Sequence, residues 1–281
     1  MRDVTIQLSD KQDLTDSRVE PSGSTMPAWW LVFTRELADL WIGGKALALI
    51  LIYGILLGIM SFGIASDSEL DLIPPKEMVF FTLQIVIAAG IFIGLIIGAD
   101  SLSGERERAT LEALLLTPAS RRQLVLGKFL AAISPWPVTL AITIPYMYVL
   151  AQGDEIFGEA VFWGVLLGSL LTLGFTGLGM LVSFWSNTNK TSYFLSLTLY
   201  LLCLVPTQWI GPLQKGFVGK FVQRVNPMEA TNEFLEKILV NHRSLHEFQS
   251  WLRSPVVFAV LVLVLLFLYA SPRLRLWARQ Q

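Results

Sequence analysis

Six apolar runs dominate this chain, at residues 46–65, 78–99, 129–151, 161–185, 192–210 and 255–270. About 20 apolar residues in helical form cross the hydrocarbon core of a bilayer. Within lipid a helix satisfies its own backbone hydrogen bonds, whereas an isolated strand cannot. The runs therefore predict an all-α integral membrane protein with six transmembrane helices. Composition agrees, since 53% of the 281 residues are hydrophobic and only 15% are charged, against about 25% charged in ordinary soluble domains. The last run is short, but Arg253 and Arg273 flank it and can snorkel to the interface. The fifth is the least well defined of the six.

Orientation follows from the basic residues of the short loops. Arg35 and Lys45 precede the first run, Arg106, Arg108, Arg121, Arg122 and Lys128 follow the second, and Arg273, Arg275 and Arg279 follow the last. The intervening loops are acidic, with Asp67, Glu69, Asp71 and Glu77 in one and Asp154, Glu155 and Glu159 in the other. This places both termini in the cytoplasm and the protein in the cell membrane. The stretch at 212–253 is mixed, pairing six basic residues with Glu229, Glu233, Glu236 and Glu247, and is assigned to the outer side.

Residues 1–27 are polar and lack an apolar core, which predicts a disordered cytoplasmic tail rather than a signal peptide. Residues 28–272 form the membrane domain, and 273–281 a basic cytoplasmic tail. At 28–43, Trp29, Phe33, Leu37 and Trp41 recur every four residues with Trp30 beside them, while Arg35, Glu36 and Asp39 take the other side. That is an interfacial helix lying in the membrane lipid boundary, or an amphipathic helix packed on the protein's own cytoplasmic face.

Small residues mark helix packing. Gly90, Gly94 and Gly98 form an overlapping GxxxGxxxG, with Gly54/Gly58 and Gly164/Gly168 repeating the spacing. Intrachain packing is the favoured use, a dimer seam the other. Pro135, Pro137, Pro145 and Pro206 predict interrupted helices. On the outer side, Asn226 is an N-cap, Pro227 the first helical residue and Glu229 the capping-box partner of a helix that lies on the surface or caps the spans.

The loop at 102–128 is unlike a simple connector. Glu105 with Arg108, and Arg108 with Glu112, are helix-neighbour pairs, while Leu111, Leu114 and Leu115 share a face. Pro118 stops this helix and Ser120 caps a second one running through Gly127-Lys128 into the third span. A solvated connector would explain the arginines but not the interleaved glutamates and leucines.

Glu105-Arg106, Thr110-Leu111-Glu112, Leu114-Leu115, Thr117-Pro118, Ser120-Arg121 and Gly127-Lys128 together resemble the signature loop of type-2 ABC transporter permeases, in the six-span NosY-like and sodium-exporter-like branch. The resemblance implies a coupling helix on which a separate cytoplasmic ABC ATPase docks. Glu105, Arg106, Glu107, Arg108, Thr110, Leu111 and Glu112 would meet that ATPase, with Leu114, Leu115 and Pro118 anchoring the helix. It further implies that the Trp29–Trp41 segment is the elbow helix, and that a second permease copy or a related permease completes the pathway. An external accessory protein is a further possible partner. Ala109 stands where glycine is usual, a change expected to cost little because alanine favours helix.

No phosphate-binding loop is present, since Gly44-Lys45, Gly127-Lys128 and Gly219-Lys220 lack its glycine and hydroxyl positions. The chain is expected to bind no cofactor and to catalyse no reaction, ATP and Mg belonging to the partner ATPase. His242 and His246 lack a third ligand, so no metal is assigned. A net charge of −1 gives no case for nucleic acid. Asp100, Ser192, Ser196, Thr198 and Tyr200 are candidate pathway-lining residues, although hydroxyls in spans often bond the helix backbone instead. Two other functions fit the same sequence: a mechanical transmitter acting on an external partner without moving cargo, and a membrane scaffold with no ATPase.

Overall fold

The computed structural model describes residues 26–66, 74–111, 116, 119–151, 153, 155–208, 216–241 and 245–270. Among the described residues every regular element is helical. They are α1 (Ala28–Ile42), α2 (Lys45–Ser66), α3 (Pro75–Glu107), α4 (Arg121–Ile133), α5 (Pro135–Leu150), α6 (Ile156–Trp185), α7 (Asn189–Thr207), α8 (Phe217–Val225), α9 (Pro227–Leu235) and α10 (Leu245–Val264). α9 and α10 each continue as a π-helical turn, Glu236–Val240 and Leu265–Ala270.

Among the described residues five segments are long and apolar enough to cross a membrane: Lys45–Gly63, Pro75–Glu107, Arg121–Leu150, Ile156–Trp185 and Ser250–Leu268. α7 is the sixth long element, but Asn189, Lys190 and four hydroxyl-bearing residues in its first half dilute its hydropathy. The third crossing segment is two helices, broken where Ser134 meets Pro135, whose ring removes a backbone donor. Ser120 opens α4 with a full capping box: its hydroxyl accepts from Gln123 N at 3.3 Å, and Gln123 Oε1 accepts from Ser120 N at 3.0 Å.

Residue pairing gives the directions. Leu83 lies at Gly164, Ile87 at Gly168 and Leu95 at Gly179, so α3 and α6 run parallel. Phe258 at Gly174 and Val262 at Gly177 set α10 parallel to α6. α7 runs the opposite way, since Ser192 Oγ donates to Ala99 O and Tyr200 OH to Ala88 O. α4 and α5 also run against α3, with Lys128 near Glu105 and Trp136 near Gly90. α3 and α6 form the most extensive helix pair, and α3 also packs on α5 and α7.

The glycine stripe of α3 lies inside this chain. A methyl group at Gly98 would stand 2.5 Å from Thr176 O, one at Gly94 would clash with the Thr176 hydroxyl, and one at Gly90 with the Trp136 ring. On the facing helix Gly179 meets the Leu95 carbonyl. Only hydrogen fits where these backbones cross. Gly54, by contrast, meets nothing among the described residues, and Gly58 only the Tyr146 hydroxyl at 3.7 Å.

α1 packs on the protein's own helices, as the second reading of its sequence has it. It crosses α4 at Gly127, where a side chain would strike Trp29 O and Val32, and Trp41 Nε1 donates to Ser134 Oγ at 2.9 Å. Phe33 and Leu37 are half-buried, while Trp30 and Leu31 stay exposed. α9 caps the helices rather than lying on their surface. Met228, Phe234, Leu235, Ile238 and Leu239 are buried in one core with Leu83, Ile87, Leu171 and Phe175. Asn226 does cap it, accepting from Met228 N at 3.0 Å, but Glu229 closes no capping box. The Asn226 N–H is already used by Val222 O, the last bond of α8.

Candidate functional site

At about 1.5 Å per residue α3 is roughly 50 Å long, some 20 Å more than the hydrocarbon core it crosses. The excess carries the charged residues that end it. Sequence reasoning expected a separate helix over Glu105–Glu112; instead α3 continues unbroken through Glu107 and stops there. Its stop is a Schellman motif, with Ala109 N bonded to Arg106 O at 3.1 Å and Thr110 N to Glu105 O at 3.0 Å. Ala109 sits at φ 58°, the left-handed conformation that glycine adopts without strain. The expectation that alanine costs little here is thereby corrected. Its helix propensity is of no use at a residue that ends the helix.

The charged residues of this end face several neighbours at once. Lys128 Nζ lies 2.7 Å from Glu36 Oε1 of α1 and 2.8 Å from Glu105 Oε1 of α3. Its side chain is 1% exposed and that of Glu105 8%, so the lysine is a buried node joining α1, α3 and α4. Gly127, immediately before it, gives the close approach that brings α1 within reach. Arg106 turns to α6 and donates to the carbonyls of Ser183, Phe184 and Ser186 at 2.5 to 3.2 Å. A cation on these unpaired carbonyls caps the negative end of α6. Glu107 does the converse, accepting from Asn189 N at 3.1 Å at the start of α7.

One turn deeper, Asp100 Oδ2 lies 2.6 Å from Lys45 Nζ of α2, and its Oδ1 accepts from Asn189 Nδ2 at 2.8 Å. The acid is a paired group tying α2, α3 and α7. A small cavity, bordered by Glu36, Asp39, Lys45, Asp100, Arg108 and Lys128 together with apolar residues such as Leu40 and Ile97, separates the two ion-pair sets.

Several candidate ATPase contacts therefore point elsewhere in this conformation. Glu105 is buried on Lys128, Arg106 is spent on α6, and Leu111 is packed with Leu102, Val125 and Phe129. Exposed are Glu107, Arg108 and Thr110, with Leu116, Arg121 and Arg122 beyond them. Glu112, Leu114, Leu115 and Pro118 lie outside the described residues. Lys128, Glu36, Lys45 and Asn189 were not singled out as a cluster by sequence, because their partners are 23 to 92 residues distant.

The pathway candidates are also redistributed. Ser192 is bonded to the α3 backbone, Ser196 is fully buried and Thr198 Oγ1 donates to Phe194 O within its own helix. Tyr200 alone of the five borders a sizeable cleft. This cleft, of about 450 Å³, lies among α3, α7 and α9, with Phe81, Phe92 and Leu204 giving apolar walls and Gln84, Gln208 and Asn232 amide groups. Among the described residues that line it none is charged.

A protein-family profile described as "ABC-2 family transporter protein" matches residues 9–271. The chain belongs to this family. Its members are membrane subunits of ABC transporters, consistent with the apolar helices and charged overhang described above. A curated relative, the probable ABC transporter permease protein NosY of Pseudomonas aeruginosa, is 28% identical over 172 residues, covering 59% of this chain. The match takes in 62% of that relative's length.

Proposed function

We propose that this ABC-2 family chain is the permease subunit of an ATP-driven exporter in the cell membrane, with six spans, α7 being the fifth, and both termini cytoplasmic. A separate cytoplasmic ABC ATPase binds ATP and Mg and docks on the overhang through Glu107, Arg108 and Thr110. Two copies, or this chain with a related permease, enclose the pathway. The observation that carries the reading is the buried Lys128 node. A force applied to the exposed loop beside it reaches α1, α3 and α4 together, and through Arg106 and Glu107 also α6 and α7. The uncharged cleft beside Tyr200 favours an amphipathic, lipid-linked or drug-like cargo over an ionic one.

The test is to exchange the exposed charges, Glu107→Arg with Arg108→Glu, and measure both ATPase co-purification and transport-coupled ATP turnover in proteoliposomes. Loss of both with an intact elution profile is expected. If no ATPase ever accompanies the wild-type chain and the exchange changes nothing, the scaffold reading replaces this one. A second reading draws on α9, which is wedged into the core that also holds α3. Movement of α3 then reaches the outer region directly, and a mechanical output to an external protein is the result. ATP turnover without movement of any cargo would favour it.

A further inference from the structure

At the end of the molecule opposite the Lys128 node, α8 carries an exposed face that the proposed transport function does not use. Phe217, Phe221 and Val225 follow one another at four-residue steps and are 88%, 61% and 58% exposed. At roughly 100° per residue they share an arc with Lys220 and Arg224, which border them on one edge and are also exposed. The back of the helix faces the protein: Gly219 is buried and Gln223 half-buried. Large aromatic side chains in water on a helix this short need a partner.

The helix is fixed at a particular height. Its last carbonyl, Val225 O, accepts from Ser254 Oγ at 2.8 Å, and Asn226 Nδ2 donates to Cys203 O of α7 at 2.6 Å. Ser254 lies at the start of the apolar segment Ser250–Leu268. α8 is thus held where the last membrane-crossing segment meets water. Beside it an open groove of about 460 Å³ is lined by Phe217, Lys220, Phe221, Gln223, Arg224 and Trp251. Among the described residues, two cations and three aromatic rings line it, and no carboxylate does.

We infer that α8 is an in-plane anchor that seats its Phe217–Phe221–Val225 face in the bilayer boundary and holds the phosphate of an anionic phospholipid between Lys220 and Arg224. The apolar stripe supplies the depth, the two basic residues the headgroup preference, and Trp251 an interfacial aromatic wall. The inference goes beyond the transport reading, and it depends only on the chain being embedded in a membrane.

The experiment places one fluorophore at the start of α8, through Gly216→Cys in a Cys203→Ser background of the full chain. The labelled protein is reconstituted in bilayers containing brominated phosphatidylglycerol or brominated phosphatidylcholine at equal fractions. Stronger quenching by phosphatidylglycerol is expected, and high salt should reduce that preference without any further variant. Lys220→Gln with Arg224→Gln should weaken the phosphatidylglycerol preference about thirtyfold, the surface strength of two basic residues. Phe217→Ser with Phe221→Ser should lower quenching by both lipids. Equal quenching of the wild type by the two lipids overturns the headgroup site. Absence of quenching by either shows that protein, from a second copy or another partner, covers this face, and overturns the whole inference.

Discussion

Replacing Lys128 by Met removes a cation that Glu36 and Glu105 share. Methionine has a similar length and keeps the packing beside Gly127, so the change isolates the charge. Breaking a buried ion pair by removing one partner costs about 3–5 kcal/mol, because the remaining charge is left uncompensated. Here the Lys128 side chain is 1% exposed and the Glu105 side chain 8%, so solvent screens their contact weakly; Glu36, at 18%, retains some access to water. The upper part of that range is expected for the double loss. Thermal unfolding in nanodiscs should show a fall on the order of 10 °C, at about 2–4 °C per kcal/mol for a chain of this size. Adding Glu36→Gln and Glu105→Gln removes both orphaned charges and should restore most of the loss. A Lys128→Met protein that melts like the wild type would refute the assignment of this node as the tie among α1, α3 and α4. Failure of the triple variant to recover would show that packing, not charge, was disturbed.

Ala109→Gly should stabilise the end of α3 by about 1 kcal/mol, since it relieves a left-handed alanine, and Ala109→Val should destabilise it; thermal melts compare the three. Gly98→Leu should abolish the monodisperse peak in size-exclusion chromatography, because its Cβ alone would stand 2.5 Å from Thr176 O. Glu229 of α9 is pushed up from the ordinary carboxylate value to about 7, first by burial and then by the charge of Glu233, with Gln223 bonding it in partial opposition and Glu236 adding a smaller push. A raised acid binds its proton more tightly in the folded state, so stability is full below about pH 4.5 and declines as pH rises to about 7, by roughly 3 kcal/mol in all. Glu229→Gln should flatten that decline in melts run from pH 4.5 to 8, and an unchanged slope would show that another group titrates.

The membrane-crossing segments were legible because length and hydropathy are local properties, and Ser120 was legible as a cap because its partner, Gln123, lies within one turn. The direction of the charges was not. Glu105 and Arg108 stand three apart on a notional helix, yet Glu105 chooses Lys128, which only the docking of α4 on α3 brings near. Arg106 reads as a surface charge until α6 ends beside it with its carbonyls open. Ala109 reads as helix former because its left-handed backbone is imposed by the Schellman bonds around it, not by its side chain. α8 was passed over because its nine residues are too few to span a bilayer, although Phe217, Phe221 and Val225 carry a clear amphipathic spacing.

α3 has no proline after its first residue and no break from Pro75 to Glu107, the continuity that a rigid rod requires. Its backbone crosses that of α6 closely between Leu95 and Gly98, where neither Gly98 nor Gly179 has room for a side chain. A pivot at Gly98 leaves a short arm of nine residues, about 14 Å, on the Glu107 side and a long arm of 23 residues, about 35 Å, toward Pro75. A lever of these proportions multiplies travel about 2.5-fold: a shift of about 2 Å at Glu107 moves the far end by about 5 Å, the pitch of one helical turn.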